Sequence, residues 1–234
     1  MNIIGYDLET TGTSVANDRP VQVSLVSFDP KSGSTRVLIN TLCNPHKAIA
    51  KEASDVHGFT AERLSSMPDY LAALWQVSVI VDALKPDALV TMNGRTFDVP
   101  MTKNLLGTDP FEGLMHFDVL QMAFRYYPEL KSRKLAALHQ HFLNAPLEGA
   151  HDATADVIGA LRVFEAMRTQ LVMPYEKLDQ ELSTPKAYPV IPFGKYAGCT
   201  IDEVPVSWAK FMNKQGDLSP DLQATVDHIL GAAA

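Results

Sequence analysis

The 234-residue sequence is poor in cysteine, in excess positive charge and in long apolar runs. Its two cysteines, Cys43 and Cys199, match no metal-ligand spacing, so we expect free thiols in a reducing cytosol rather than a disulfide. A net charge of −7 excludes a broad basic surface, so a polyanionic ligand would need local positive charge. No apolar run approaches the ~18 residues that span a membrane, and the N-terminus lacks a signal-peptide pattern. We therefore expect a cytoplasmic protein with no membrane partner.

The order of the predicted elements indicates an α/β fold. Strands are predicted at 2–8, 20–29, 35–42 and 87–93, and helices at 69–85, 97–106, 118–127, 134–142 and 152–171. A hairpin followed by strand–helix units predicts a sheet of mixed strand direction with helices on its faces.

The composition changes after residue 172. Residues 173–192 contain four prolines and little periodicity, which predicts a connector between a domain at 1–172 and a compact tail at 193–234. We expect this tail, which ends in a predicted helix, to dock on the first domain or on a partner. Two interpretations of its aromatic residues stay open. Lys195, Tyr196 and Trp208 could form a nucleic-acid contact, or Phe193, Trp208 and Phe211 could form the apolar core of the tail.

The stretch IIGYDLETTG, residues 3–12, ends a buried strand in two carboxylates. Residues two apart on a strand point to the same face, so Asp7 and Glu9 can converge on one point. Their mutual repulsion is unfavourable unless a cation or a proton lies between them, although solvated side chains at a strand end would also explain the pair. The glycine-terminated turn that follows allows a ligand to approach the backbone closely.

Two later segments place further carboxylates at ends of predicted elements. Asn93 follows a buried strand, and Asp98 falls in the first turn of the next helix, where it could bind a ligand or merely complement the helix dipole. His151, Asp152 and Asp156 begin the long helix. Asp152 fits an N-cap, whereas Asp156 lies beside the apolar face and is expected to need a partner such as a metal.

These segments resemble the DEDDh, or DnaQ-like, 3′→5′ exonucleases, a family that includes the proofreading subunit of bacterial replicative DNA polymerase. The resemblance extends over residues 1 to about 170, with Phe59 and Val119 replacing the usual Ile and Thr. The Phe193-Gly194-Lys195-Tyr196 run also resembles the tail of the bacterial exonuclease X branch. Three motifs occur in the family's order: Asp7-Leu8-Glu9-Thr10-Thr11-Gly12, Asn93-Gly94-Arg95-Thr96-Phe97-Asp98 and His151-Asp152-Ala153-Thr154-Ala155-Asp156.

The resemblance implies an RNase H-like fold, with a five-stranded mixed sheet flanked by helices and a small C-terminal appendage. It also implies two Mg²⁺ ions, replaceable by Mn²⁺, bound by Asp7, Glu9, Asp98 and Asp156, with Asp98 acting mostly through water. All four carboxylates and His151 would be catalytic, His151 as the general base that accepts a proton from the attacking water.

The implied activity is removal of nucleoside 5′-monophosphates from DNA 3′ ends, single-stranded or in frayed duplex, in DNA repair or replication. The alternatives are an exoribonuclease acting on RNA ends, or a proofreading subunit that works only with a polymerase; the tail could contact that polymerase or a repair partner. Basic side chains at 95, 103, 133 and 134 could help DNA to enter. Phe97 could equally belong to the core. The implied substrate-binding residues are Leu8, Thr10, Thr11, Gly12, His57, Asn93 and Phe97.

Overall fold

The computed structural model describes residues 1–215 and 218–231, so 216–217 and 232–234 of the predicted tail lie outside the described residues. A five-stranded sheet with the order β3-β2-β1-β4-β5 forms its centre. The first three strands pair antiparallel, whereas β4 pairs parallel to β1 and β5 parallel to β4. This arrangement confirms the predicted mixed sheet, and β1 is its central strand. The strands are β1 (Ile3–Thr10), β2 (Pro20–Asp29), β3 (Ser34–Leu42), β4 (Ala88–Thr91) and β5 (Met115–Asp118).

Helices cover both faces of the sheet. The helices are α1 (Lys51–His57), α2 (Ala61–Leu64), α3 (Tyr70–Leu84), α4 (Asp98–Leu106), α5 (Val119–Tyr126), α6 (Leu135–Leu143), α7 (Ala153–Leu171), α8 (Tyr175–Ser183), α9 (Val206–Gln215) and α10 (Pro220–Gly231). Ile3 faces a core shared with helices such as α5 and α7, whereas Ile4 faces a core shared with α3. This alternation follows from the two-residue period of a strand. It also places the odd-numbered Asp7 and Glu9 on the face that α7 covers.

Local sequence signals explain the ends of the longest helices. The Asp152 carboxylate accepts hydrogen bonds from the backbone N–H groups of Thr154 and Ala155, which makes it the N-cap of α7, as predicted. The Asp69 carboxylate caps α3 in the same way, through Leu71 N–H. The predicted helices at 69–85, 97–106, 118–127, 134–142 and 152–171 all occur, with ends shifted by at most one or two residues.

The expectation of a connector with little regular structure at 173–192 is wrong over its first half. Helix α8 occupies Tyr175–Ser183, and its Leu178 and Leu182 are buried in the core that contains α7. The four-residue spacing of these two leucines is a helical signal, but it is too short to stand out among the nearby prolines. The division into a domain, a connector and a tail remains a prediction. The sequence patterns also missed the short elements α1, α2 and β5.

Helix α7 approaches the central strand at Gly5. A Cβ atom at this position would lie 2.5 Å from Val157 Cγ1 and 2.9 Å from Leu161 Cδ1, which is closer than side chains tolerate. The absence of a side chain at Gly5 therefore allows the helix to rest directly on the strand. Because Asp156 precedes Val157 on the helix and Asp7 is two residues beyond Gly5, the same contact sets the spacing between these carboxylates.

The tail has a small core of its own and a polar connection to the first domain. Val204 and Val226 are buried there together with Ile191 from the end of the predicted connector, and the partly exposed Trp208 packs against them. Phe193 and Phe211 are 42% and 58% exposed, so the idea that they form the core of the tail is wrong. Aliphatic side chains fill that space instead.

A buried ion pair connects the tail to helix α5. Arg125 Nε donates to Asp221 Oδ2 at 2.7 Å, and Arg125 Nη2 donates to the other carboxylate oxygen. The two side chains are only 3% and 2% exposed. The Asp221 carboxylate also accepts from the Gln121 side chain and from Lys186 N–H, so its charge is fully compensated.

We predict that Gly5→Ala lowers the free energy of unfolding by about 1–3 kcal/mol, because the new methyl group overpacks the contact between β1 and α7. Urea denaturation will measure this change. Gly231→Ala is the matched control, since a Cβ there meets nothing within 4 Å. Equal stability of the Gly5 and Gly231 variants would show that the helix does not rest on the strand at this point.

Candidate active site

Three carboxylates converge where β1 leaves the sheet. Asp7, Glu9 and Asp156 each offer one oxygen, and these oxygens lie within 4.8 Å of one another. Asp7 and Glu9 reach this point from one face of β1, and Asp156 reaches it from the first turn of α7. The structure thus brings together three of the four predicted metal ligands.

Asp98 lies beside this group, on the opposite side of the strand. It is buried at the start of α4, and its Oδ1 accepts a hydrogen bond of 3.0 Å from Leu8 N–H. A second contact fixes the same helix, because the Tyr6 hydroxyl and Thr102 Oγ1 are 2.8 Å apart. Leu8, a predicted substrate-binding residue, is buried and therefore presents its backbone rather than its side chain at this site.

Polar side chains of β2 hold the N-terminus of α7 in place. The Gln22 side chain donates to Asp152 Oδ2 at 2.9 Å and accepts from Ala153 N–H at 3.2 Å. Ser24 Oγ lies 2.9 Å from Thr154 Oγ1. Sequence reasoning missed Gln22 and Ser24, although two polar side chains at alternate positions of an otherwise apolar strand were a visible signal.

His151 precedes α7 on an exposed loop. Its backbone has φ of 69°, in the left-handed region, and its N–H donates to Asp156 Oδ2 at 3.2 Å. The predicted general base thus directly adjoins one of the three clustered carboxylates. The contact is made by the backbone of His151, and the residue itself is exposed.

Burial and mutual repulsion keep protons on these carboxylates. Burial raises the pKa of Glu9 to about 8, and the charges of Asp156, Asp98 and Asp152 add to the effect. Burial also raises the pKa of Asp7 well above its ordinary value, reinforced by Asp98, Glu9 and Asp156. The pKa values of Asp98, at about 7, and of Asp156 are raised chiefly by burial. The folded site therefore disfavours four negative charges unless a cation neutralises them.

The turn after β1 is held by its own hydrogen bonds. Thr10 Oγ1 donates to Gly12 O at 2.7 Å, and Thr11 Oγ1 donates to Asp18 Oδ1 at 2.7 Å. Thr11 is buried, so its hydroxyl shapes the turn and its side chain does not face a ligand. A Cβ at Gly12 would lie 2.6 Å from Asp18 Oδ2, which explains why glycine is required there. Asp18, which the sequence analysis missed, organises this turn.

His57 lies against the same turn. Its Nε2 is 3.2 Å from Thr10 O, and its Nδ1 accepts from Phe59 N–H at 3.0 Å. This pattern requires the proton on Nε2, and burial lowers the pKa of the ring, so His57 is neutral. The ring stacks on Phe59 with centroids 5.0 Å apart. His57 is thereby brought beside the turn that was predicted to bind the terminal nucleotide.

The loop between β4 and α4 is organised by a buried carboxylate. Asp118 accepts from the backbone N–H groups of Asn93 and Arg95, at 3.1 and 3.0 Å. Asn93 is exposed with φ of 70°, a conformation that asparagine tolerates well. Phe97 is partly exposed and packs against the core on the α3 side, so it has both a core contact and an exposed part. Sequence reasoning gave Asp118 no structural role, although an aspartate just before a helix is a capping signal.

Two of the basic residues proposed to attract DNA are engaged within the protein. Arg95 Nη2 donates to His116 O, and Arg133 Nη2 donates to Pro128 O at 2.8 Å. The Arg133 guanidinium also lies 5.0 Å from the centre of the Phe124 ring. Lys103 and Lys134 are exposed and stay candidates for attracting DNA.

The site's donor set suits a divalent cation. Carboxylate oxygens are the ligands that Mg²⁺ and Mn²⁺ prefer, and the clustered oxygens are close enough for one ion to bridge them. The raised pKa values give the same indication, since a cation would replace the protons that the folded site otherwise retains.

Comparison with known proteins identifies the family. Residues 4–164 match the RNase T family, described as "Exonuclease", which covers more than half of the chain. The chain belongs to the exonuclease family. Its five-stranded sheet with flanking helices is the RNase H-like fold predicted for that family, and the prediction that the chain is an exonuclease enzyme is confirmed at this level.

Individual relatives show more distant similarity. The chain is 28% identical over 166 residues to the DNA polymerase III subunit epsilon of Treponema pallidum, covering 69% of this chain and 74% of that protein. It is 24% identical over 193 residues to the PolC-type DNA polymerase III of Bacillus subtilis, covering 78% of this chain and 13% of that polymerase. The chain therefore corresponds to a small part of the PolC-type polymerase.

Among solved structures, E. coli exonuclease I in complex with a dT13 oligonucleotide has a TM-score of 0.58 at 22% identity, over 73% of this chain and 42% of that one. A zinc-bound form of the E. coli exonuclease I complex with single-stranded DNA has a TM-score of 0.55 at 22% identity, over 72% and 40%. The fold is thus shared with less than half of the exonuclease I chain. Within residues 1–215 and 218–231, no helix has the length and apolar character needed to cross a membrane.

We predict that the metal-free protein loses stability as the pH rises from about 5 to 8. The folded site retains protons up to a pH of about 7 to 8, whereas the unfolded chain releases them near pH 4, so folding is favoured less at higher pH. The slope is about 1.4 kcal/mol per pH unit for each such proton. Urea denaturation in EDTA at several pH values will measure it.

Glu9→Gln supplies the internal control, because an amide has no proton to release. Its metal-free unfolding free energy should depend less on pH than that of the unaltered chain. Added Mg²⁺ or Mn²⁺ should raise the melting temperature of the unaltered protein more at pH 8 than at pH 6. A stability that rises with pH in EDTA would contradict this account of the carboxylate group.

Proposed function

We propose that this chain is a divalent-metal-dependent 3′→5′ exodeoxyribonuclease that releases nucleoside 5′-monophosphates from DNA 3′ ends in repair or replication. The observation that carries the proposal is the convergence of the Asp7, Glu9 and Asp156 oxygens within 4.8 Å in a chain of the exonuclease family. A 3′ end of single-stranded or frayed DNA is the proposed substrate, in keeping with the oligonucleotide bound to the related E. coli enzyme.

Asp7, Glu9 and Asp156 would hold Mg²⁺ directly, and Asp98 would hold it through water, because the Asp98 Oδ1 atom already accepts from Leu8 N–H. Two such ions would supply the positive charge that stabilises the negative charge developing on the phosphodiester during hydrolysis. Mn²⁺ offers the same preference for oxygen ligands and should substitute. The zinc-bound form of E. coli exonuclease I supports a divalent ion in this fold.

His151 acts in this proposal as the general base. Its backbone N–H donates to Asp156 Oδ2, and in this proposal the imidazole turns toward the carboxylate group from that point. A neutral imidazole accepts a proton from the attacking water at neutral pH, and the nearby carboxylates stabilise the imidazolium that results. The exposed ring can then return the proton to solvent.

The turn at Thr10–Gly12 is the proposed seat of the 3′-terminal nucleotide. Its backbone is fixed by Thr11 and Asp18 from behind and by His57 from the side. Phe97 and Asn93 lie across the site on the loop before α4, where an aromatic ring can stack on a base or sugar. Because these hydrogen bonds already fix the turn, it can orient the terminal phosphodiester without a loop having to become ordered on binding.

A second candidate is a proofreading module that works only with a polymerase. Its support is the similarity to the epsilon subunit of Treponema pallidum and to the PolC-type polymerase of Bacillus subtilis. The Phe193–Tyr196 run instead supports a place in the exonuclease X branch. Robust activity of the isolated chain favours the first candidate, whereas activity that appears only with a co-purifying polymerase favours the second.

We predict that the isolated chain shortens a 5′-labelled DNA oligonucleotide from its 3′ end in Mg²⁺ and stops when EDTA is added. Asp7→Ala should abolish the ladder of products, and His151→Ala should lower kcat by roughly 10²–10⁴-fold, the usual contribution of a general base. Denaturing gel electrophoresis will resolve the products. Asp82→Asn, an exposed acid on α3, is the control for loss of one negative charge.

Cleavage at internal positions, or activity that is indifferent to EDTA, would reject the proposed function. A matched RNA oligonucleotide in the same assay tests the choice of sugar. We expect DNA to be degraded faster, and faster degradation of RNA would establish the exoribonuclease alternative instead.

A further inference from the structure

A cavity of about 590 Å³ lies between the first domain and the tail. The loop after β4, the end of β5 and the start of α5 form one wall, and residues near the ends of α8 and α10 form the other. This volume falls in the range of small-molecule sites, and it is ample for a planar aromatic group. Asn93, Arg95 and Thr96 of the second motif line part of the cavity, but the proposed carboxylate group does not account for its aromatic side.

Aromatic and amide side chains give the cavity its chemical character. Phe124, Tyr188 and Phe193 line it, and the Phe124 and Tyr188 rings meet edge to face with centroids 5.4 Å apart. Phe193, at 42% exposure, is a large apolar side chain that the tail leaves uncovered here. The amides of Asn93 and Gln121 add hydrogen-bonding groups to these rings. Aromatic rings can stack on the face of a flat heterocycle, and neighbouring amides can form hydrogen bonds with its polar edge.

The charges around the cavity are balanced. Arg95 is the one arginine or lysine among its described lining residues, and its guanidinium donates to His116 O near the Asp118 carboxylate. Asp221, the other lining acid, is already paired with Arg125. A phosphate group would therefore meet one arginine, whose guanidinium already donates to His116 O, together with two carboxylates, whereas an uncharged base would meet no repulsion from those carboxylates.

Two buried polar atoms of the lining residues lack partners. In the described part of the chain, Gln121 Oε1 and Arg95 Nε are buried and make no hydrogen bond. A buried donor or acceptor without a partner is unfavourable, because it has given up its hydrogen bonds to water. Both atoms are covered by protein, so a base in the cavity would reach them only when the Gln121 or Arg95 side chain turns toward it.

The cavity adjoins the proposed active site along the chain and across the sheet. Asn93 and Val99 line the cavity, and Asp98 lies between them along the chain. Neighbouring strands are about 4.8 Å apart, and the pairing register puts Asp118 at the end of β5 level with Tyr6 of β1, two strands away. Asp118, which lines the cavity, is therefore about 10 Å across the sheet from the part of β1 that carries Asp7, the length of about three stacked nucleotides. A DNA strand whose 3′ end is at the carboxylates can therefore reach the cavity with a base a few nucleotides upstream.

We infer that the cavity between the first domain and the tail binds one unpaired nucleobase, held against Phe193. The inference rests on the proposed function for the direction of the strand. The base could belong to the substrate strand, as an internal nucleotide, or to a free nucleotide such as a released product. The chemistry that recognises it is the same in both cases.

The test is an abasic scan read by binding rather than by cleavage. Single abasic residues are placed at successive positions from the 3′ end of a fluorescent oligonucleotide, and its dissociation constant is measured by anisotropy in EDTA at low salt. One position should weaken binding by about five- to tenfold, the scale of one lost base–aromatic stack. In Phe193→Ala that position should lose its effect, and Phe193→Trp should restore it.

Phe211→Ala is the matched control, since Phe211 is an exposed phenylalanine of the same tail that does not line the cavity. A parallel titration by calorimetry compares dAMP with deoxyribose 5-phosphate. In one outcome the scan shows no positional effect, while dAMP binding is lost in Phe193→Ala and kept in Phe211→Ala. That result supports the inference with a free nucleotide as the source of the base. Equal binding of both compounds, together with a flat abasic scan, overturns it.

The outcomes separate this inference from the proposed function. A chain without nuclease activity that still shows the positional effect would retain the base site and lose the exonuclease proposal. If the chain is an active exonuclease, but no abasic position weakens oligonucleotide binding and Phe193→Ala does not change dAMP binding, only the base site is rejected.

Discussion

Repulsion among closely spaced, partly buried carboxylates is the constraint around which this structure is arranged. Asp7 and Glu9 share one face of the central strand, and α7 adds Asp156 to the same corner. Such an arrangement is unstable unless the backbone holds it rigidly, and the rest of the sheet supplies that rigidity. The packing of α7 at Gly5, the cap at Asp152 and the contacts from Gln22 and Ser24 all fix one helix end against one strand end.

The opposite face of the strand has a complementary role. Asp98 is held by Leu8 N–H, and Tyr6 bonds to Thr102 of the same helix. The two helices that provide acidic groups are thus fastened to consecutive residues of β1, one on each face. A change in the path of β1 would move both helices relative to each other. The strand therefore fixes the positions of the acidic groups on both helices and also provides two of the carboxylates itself.

Much of this arrangement could be predicted from the sequence because its signals are local. The period of the apolar residues located β1, β2, α3 and α7, and the capping signal of Asp152 located the start of α7. The three ordered motifs then indicated which carboxylates would meet. The order of the strands and the approach of α7 at Gly5 depend on distant contacts, which local periodicity does not describe.

The errors also have physical causes. Helix α8 was hidden because its signal consists of two leucines among prolines. One of the two interpretations of the tail put Phe193 and Phe211 in its core, because large aromatic residues are usually buried, but the aliphatic residues Ile191, Val204 and Val226 occupy that space. Arg95 was expected to face DNA, and it is instead tied to a neighbouring strand through His116 O. Its position in the loop could not reveal the partner.

The buried pair of Arg125 and Asp221 has a consequence for how the chain can be divided. Shortening the protein to the segment that matches the exonuclease family would remove Asp221, the counter-ion of Arg125, and would expose the Phe124 ring that otherwise meets Tyr188. A newly exposed apolar surface of this kind favours aggregation. We therefore expect truncations and fusions at this boundary to be better behaved when they retain Asp221 and the residues around it.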